Sequence, residues 1–334
     1  MLKNKIILVT GGTGSFGKTF ITELLLHHNP KVIRIFSRDE LKQWQMEQEF
    51  RSMPQSEKLR FFIGDVRDKE RLLRAMQNVD FVVHAAALKQ VPACEYNPIE
   101  AIKTNVMGAI NVIDAALDCH VDRVVALSTD KASQPINLYG ATKLCSDKLF
   151  IQANNYSGST RTRFSVVRYG NVMGSRGSIV PLFFEQAKKG ELTITDKKMT
   201  RFWINLEEAV KFVLDAFDIM QGGELFVPKI PSIRITDLAK AIAPKAKIKI
   251  VGIRPGEKLH ESLICSDESL YTFDLGERYM IEPSSVGTWD SKYPKYKTIK
   301  KVNADFSYTS DKNTDFMSVP DIRKKLSKWF ELYS

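Results

Sequence analysis

Through the first half of the chain, short apolar runs alternate with longer stretches whose apolar positions recur at helical spacing. KIILVT, KVIRIF, LRFFIGD, VDFVVHA, DRVVALS and TRFSVVRYG read as strands: each is short, rich in β-branched or aromatic residues, and separated from the next by a helical pattern such as KTFITELLLHH. This alternation predicts an α/β fold, a doubly wound parallel sheet with helices on both faces. From about Glu191 the pattern loosens. Short strands ELTITD, ELFVPK and KIKIVGI mix there with helical LEEAVKFVLDAF and ITDLAKAIA. The expected organisation is a domain over residues 1–190 and a smaller α/β lobe over 191–334, with strands that can cross between them. Beyond about residue 285 the periodicity fades and little regular structure is expected. No internal repeat or low-complexity tract interrupts the chain.

A length of 334 residues accommodates both units and a substantial core. The composition, 43% hydrophobic and 26% charged, is that of a soluble protein, and no apolar run approaches the roughly 20 residues of a membrane span. The amino terminus passes straight from a first strand into a glycine-rich turn, without a signal-peptide cleavage site, so a cytoplasmic protein is expected. Cys94, Cys119, Cys145 and Cys265 are widely spaced and match neither a disulfide framework nor a zinc site. The net charge of +10 is compatible with anionic small substrates. Nucleic acid is not expected, because no recognition motif accompanies the charge, and the Lys-rich SKYPKYKTIKK reads as a solvated face.

GGTGSFG, residues 11–17, follows the first strand and opens a helix, the context of a phosphate-binding turn. Gly11, Gly14 and Gly17 permit the tight turn and close approach to a pyrophosphate, with Thr13, Ser15 and Phe16 beside them and helix N–H groups as donors. The second strand ends in Ser37-Arg38-Asp39. Arg38 suits a ribose 2′-phosphate and favours NADP, with Lys42 nearby; the alternative has Asp39 binding the 2′-hydroxyl of NAD. Asp65, followed by Val66, ends the third strand either as an adenine contact or as a helix N-cap. Ala85, Ala86 and Ala87 end the fourth strand with side chains small enough for a cofactor to lie against the backbone, whereas His84 reads as a packing residue.

Tyr139 and Lys143 stand four apart at the start of a helical stretch, on one face. An ammonium favours the phenolate of a nearby tyrosine, and the pair can take a proton from a hydroxyl whose carbon gives up hydride. Tyr-x-x-x-Lys alone is common; behind a dinucleotide turn and the strand end VVALSTD it is far more specific.

GGTGSFG, STDKA, YGATK, RYGNV and RPGEK together resemble the extended short-chain dehydrogenase/reductase (SDR) superfamily, and within it the inverting UDP-N-acetylglucosamine 4,6-dehydratases that begin pseudaminic acid synthesis. The resemblance covers nearly the whole chain, least well beyond residue 270. It implies bound NADP, UDP-N-acetylglucosamine in the cleft, a homo-oligomer and a product destined for flagellin modification. It also implies roles: Tyr139 as base at the C4 hydroxyl, Lys143 tuning it and holding the cofactor ribose, Thr129 supporting the sugar hydroxyl, and Asp130 as acid at C6. Lys131 departs from the Asp-Glu pair of the retaining sugar-nucleotide 4,6-dehydratases. The resemblance makes it the C5 base, which requires a neutral amine, and burial with neighbouring cations is expected to lower its pKa. The other reading is a lysine that pairs with a sugar or phosphate oxygen.

Lys89 and Asn105 are candidates for cofactor or substrate contact, their alternatives being a solvated lysine and a helix cap. Asn171, followed by Val172, ends a strand that faces the nicotinamide in the superfamily. Arg176, Arg201, Arg254 and Glu257 are candidate clamps for the UDP moiety, with surface salt bridging as the alternative. Competing functions are a UDP-sugar 4-epimerase, which needs no acid and base for elimination at C6, a simple NADP-dependent reductase, and a non-catalytic NADP-binding sensor, which needs no tyrosine-lysine pair.

Overall fold

A computed structural model of the protein describes residues 1–158, 162–174, 178–283 and 299–333. The apolar runs of the first half form β1 (Ile6–Thr10), β2 (Val32–Ser37), β3 (Leu59–Ile63), β4 (Phe81–His84), β5 (Arg123–Thr129) and β6 (Arg163–Tyr169). They lie in the order β3-β2-β1-β4-β5-β6, all parallel, so the chain reverses its direction of winding between β1 and β4. Ligands bind at such a reversal, beyond the carboxyl ends of the strands. The expected doubly wound α/β fold is therefore present. Helices α1 (Ser15–His27), α2 (Glu40–Phe50) and α3 (Lys69–Met76) link the first four strands.

Each junction shows why these residues suit it. Gly11 has φ +67° and lies against the Ala85–Ala86 backbone, where a Cβ would meet Ala86 Cα at 2.9 Å. A Cβ on Gly17 would meet the Gly12 carbonyl at 2.4 Å, so only glycine lets α1 seat on the turn. Asp39 caps α2 by accepting from Lys42 N at 2.9 Å, and Asp68 caps α3 in the same manner.

The cores do not follow a single cut at residue 190. The helix Leu206–Ile219 buries Ala209, Val210, Val213 and Phe217 in the first core, and the strand Leu225–Pro228 extends the main sheet parallel to β6. Arg278–Ile281, Thr272–Asp274 and Lys300–Lys301 continue it antiparallel to ten strands. Conversely the helix Ile179–Ala187 packs Val180, Phe183 and Phe184 into the second core with Leu192, Trp203 and Leu238. Which sheet face can bury an apolar stripe, rather than chain order, decides membership. The weakly patterned carboxyl end also contributes: the helices Val319–Lys325 and Ser327–Tyr333 pack Ile322, Trp329 and Phe330 onto that core, with Leu326 at the joint between them. Most of SKYPKYKTIKK lies outside the described residues.

Among the described residues no helix is long and apolar enough to cross a membrane, the four cysteines are free, and no His, Cys, Asp or Glu cluster could hold a metal ion.

One charged network crosses the main sheet's core. Arg168 on β6 is 1% exposed and pairs with Asp147 at 3.4 Å and Glu268 at 2.8 Å, while Ser128 donates to Asp147 at 2.7 Å. Breaking a buried pair leaves the partner charges uncompensated. Arg168→Met is therefore expected to destabilise the fold by about 3–5 kcal/mol, read from urea unfolding.

Candidate active site

At the carboxyl ends of β1, β2, β4 and β5 the structure opens a cleft of about 760 Å³, in the range of small-molecule sites. Its nucleotide side is walled by Gly11, Thr13, Gly14, Ser15, Phe16 and Gly17, then by Ser37, Arg38, Asp39 and Lys42, and by Asp65, Val66 and Ala85 to Ala87. The N-terminus of α1 has neither a side-chain cap nor an acidic residue in its first turn, so its N–H groups remain available to a phosphate. Arg38 is half exposed, 3.7 Å from Asp65. Asp39 is committed to capping α2 and to the Lys42 ammonium at 2.5 Å. Asp65 is not the cap of α3, a position taken by Asp68; it accepts from Arg67 N and Nε at 3.0 Å. These surfaces fit a dinucleotide. His84 is 1% exposed, accepts or donates with Thr10 at 2.8 Å, and burial drives its pKa down to about 3, as suits a neutral packing residue.

The candidate reacting groups come from β5, the turn after it and the helix Leu138–Gln152. β5 ends at Thr129, and a short 3-10 turn, Asp130–Ala132, follows. Asn137 caps the helix through Gly140 N at 2.8 Å, and its amide also donates to the Gly256 carbonyl at 2.7 Å. Gly140 explains the tight assembly: a Cβ there would meet the Lys131 carbonyl oxygen at 2.2 Å. Helix and turn thus touch through backbone, which brings Tyr139, Lys143, Thr129, Asp130 and Lys131 to one wall of the cleft.

Asp130 is 1% exposed; its Oδ1 accepts from Thr129 Oγ1 and Lys131 Nζ, each at 3.0 Å, and its Oδ2 has no partner. Lys131 is a quarter exposed and is also 3.5 Å from Glu261. The expected lowering of the Lys131 pKa is not what the structure gives. Burial and the Arg201 charge do push it down, but the Asp130 and Glu261 carboxylates outweigh them and hold the ammonium above the ordinary lysine range. Packing pushes the Tyr139 phenol up to about 12, opposed by the Lys131 charge and a hydrogen bond with Thr129. The cation that acts on Tyr139 here is thus Lys131. Lys143, 4% exposed, is lowered by burial, against the pull of Asp147.

Other candidates fall in different places. Lys89, Asn171, Val172 and Glu257 line the cleft; burial and the Lys131 charge lower the Lys89 ammonium. Asn105 does not reach the cleft and is not a helix cap. It sits within the π-helical stretch Lys103–Met107, 1% exposed, and braces the loop after β4 by bonding Leu88 N and O, each at 2.8 Å, and Thr142 Oγ1 at 3.0 Å. Arg201 is 8% exposed and its guanidinium is taken up by the carbonyls of Thr200, Lys258 and Leu259, so it holds the RPGEK loop rather than lining the cleft. Arg254 is exposed on that loop, outside the cleft wall. Arg176 lies outside the described residues. The sequence reading missed Glu261 and Lys258, which donates to the Ser133 carbonyl at 2.7 Å. Lys258 stands out only by its place directly after RPGE in RPGEKLHE, and nothing in that motif sets Glu261 apart.

The family model of polysaccharide biosynthesis proteins matches residues 7–283. A UDP-N-acetylglucosamine 4,6-dehydratase (inverting) of Campylobacter jejuni subsp. jejuni serotype O:23/36 (strain 81-176) is 54% identical over 96% of this chain and 97% of its own. A UDP-glucose 4-epimerase of Rickettsia akari (strain Hartford) is 45% identical, over 98% and 96% respectively. The solved structure of Pen from Bacillus thuringiensis superposes with a TM-score of 0.89 at 40% identity, covering 99% of both chains. A near-complete match in sequence and in fold, around a glycine turn and a Tyr139–Lys143 helix, means that the chain belongs to the polysaccharide biosynthesis protein family, within the extended short-chain dehydrogenase/reductases.

Proposed function

We propose that the chain is an NADP-dependent UDP-N-acetylglucosamine 4,6-dehydratase that inverts C5, acting in the cytoplasm at the first step toward pseudaminic acid for flagellin modification. The observation that carries this reading is the 3.0 Å contact between the Lys131 amine and the Asp130 carboxylate, on the cleft wall that also holds Tyr139. Its main support from relatives is the inverting dehydratase of Campylobacter jejuni.

Loss of water across C5 and C6 of a hexose needs a base at one carbon and an acid at the other. Between them the two groups must carry one proton. The Lys131–Asp130 ion pair carries one, and moving it across the hydrogen bond yields a neutral amine and a carboxylic acid. A sugar that displaces water from the cleft favours this neutral form, because burial penalises charge. The amine then takes the C5 proton, the acid protonates the departing C6 hydroxyl, and the pair returns to its ionic state. A proton from water then adds to C5 from the other face and inverts it, while the proton that Tyr139 takes from the C4 hydroxyl returns to water, so the protons balance.

The C5 hydrogen is acidic only while C4 is a ketone, so Tyr139 must first take the C4 hydroxyl proton. Lys131 and the Thr129 hydrogen bond assist it by favouring the phenolate. A bound nicotinamide would supply the oxidation at C4 and return the hydride at C6, which leaves the cofactor unconsumed. Gly11 to Gly17 would hold its pyrophosphate. Arg38 would hold a 2′-phosphate, because Asp39 already caps α2.

A UDP-sugar 4-epimerase is the second reading, favoured by the Rickettsia akari relative. Epimerisation shares the C4 step and has no use for an acid and a base placed for elimination.

Purified chain incubated with UDP-N-acetylglucosamine, without added cofactor, is expected to give a product lighter by one water in mass spectrometry; an unchanged mass would leave the epimerase. In deuterium oxide, NMR should find deuterium at C5 with inverted configuration, and retention there removes the role given to Lys131. Lys131→Ala should abolish water loss while NADP stays bound. Arg38→Ala should weaken NADP binding by about 10- to 100-fold, the worth of a charged hydrogen-bonded pair, and leave NAD binding little changed in a titration.

A further inference from the structure

Glu261 stands just before the strand Ser262–Ile264 and meets the Lys131 amine that Asp130 also holds. It is 2% exposed. Its Oε1 lies 3.5 Å from Lys131 Nζ and 3.7 Å from Arg201 Nε, and its Oε2 is buried with no partner. The backbone that carries it is pinned: Glu261 N donates to Ser310 Oγ at 2.9 Å, and Ser310 N donates back to the Glu261 carbonyl at 2.8 Å. A buried carboxylate oxygen left unpaired is costly to stability, so one retained beside reacting groups calls for a chemical reason.

The geometry supplies one. Asp130 and Glu261 hold the same ammonium from two sides, at 3.0 and 3.5 Å. We infer that Glu261 is a positioning residue for dehydration: it aims the Lys131 amine and, as the second anion, governs whether that amine passes its proton to Asp130. This inference rests on the dehydratase reading. Two anions around one ammonium keep its proton in place, so the amine and acid needed for elimination form more readily once Glu261 is neutral. Burial pushes the Glu261 carboxyl up, against the opposing charges, so a proton can reside there. The charged groups facing it are Lys131 and Asp130 on the turn after β5, Arg201 on the strand Thr200–Ile204, and Lys258 on its own loop. From the strand Tyr308–Thr309 side the uncharged Ser310 meets its backbone.

The test is the pH dependence of kcat for the holoenzyme, with water loss from UDP-N-acetylglucosamine followed by mass, in wild type, Glu261→Gln and Glu261→Asp. Removing an anion lowers the proton affinity of Lys131. The limb on which kcat falls as the Lys131–Asp130 pair loses its single proton should therefore move to lower pH by about 1–3 units in Glu261→Gln. Glu261→Asp withdraws the charge by one methylene and should move it less, in the same direction, with the effect in both on kcat rather than KM. If Glu261→Gln does not fold, Glu261→Asp decides. A limb that stays at the wild-type position overturns the inference, and so does a loss of kcat equal at every pH, the mark of a purely structural side chain. Wild type without water loss defeats the dehydratase reading and this inference with it; active wild type with unmoved variants defeats the role of Glu261 alone.

Discussion

Two carboxylates and two cations, Asp130 and Glu261 with Lys131 and Arg201, meet beside the cleft wall that carries Asp130 and Lys131, and both carboxylates are almost wholly shielded from water. Each charge is tolerable there only because the others are present. The arrangement constrains the backbone as well. The Lys131 carbonyl occupies the space in which residue 140 would carry a Cβ, so the helix Leu138–Gln152 can sit this close only with glycine at that position. Tyr139 is thereby fixed beside the charged turn, with Lys143 one turn further along. Asn137 caps this helix and at the same time holds the Gly256 carbonyl, so the loop that leads to Glu261 is tied to the helix that carries the tyrosine.

The parallel sheet was legible because its central strands are buried on both faces and therefore largely apolar: β1 and β4 stand out from any amphipathic background. The glycine turn was legible for a related reason, since Gly11 and Gly17 answer to backbone contacts that no other residue permits. Lobe membership was not. The helix Leu206–Ile219 is amphipathic whichever sheet it covers, and only tertiary packing assigns its stripe to the first core. The carboxyl-terminal helices were hidden because each has only seven residues, too short for a period to show.

In the site, residues adjacent in sequence were easier to read than residues brought together by folding. Thr129, Asp130 and Lys131 follow one another, and Tyr139 and Lys143 share a helix face. Glu261 is distant in sequence, and in the motif RPGEKLHE nothing distinguishes it from a solvated glutamate. The wrong sign for Lys131 follows from weighing burial and cations alone: the Asp130 carboxylate, and Glu261 after it, outweigh them and keep the proton on the amine. Asn105 misled in the opposite sense, as a polar side chain turned inward to satisfy the backbone of Leu88.

These proton affinities bear on how such a cleft can work. Tyr139 and Lys131 both hold their protons above neutral pH, so neither stands ready as a base. Each depends on a neighbour. Tyr139 gains from the positive charge of Lys131, whereas Lys131 gains from giving its proton to Asp130, and the two demands fall on the same amine at different moments. In the proposed dehydration, ketone formation calls for a charged Lys131 and proton abstraction from C5 for a neutral one. A single proton that can cross 3.0 Å satisfies both in sequence, provided the second carboxylate does not hold it in place. On the proposed mechanism, the balance between Asp130 and Glu261 around one nitrogen therefore matters more than the basicity of any one group.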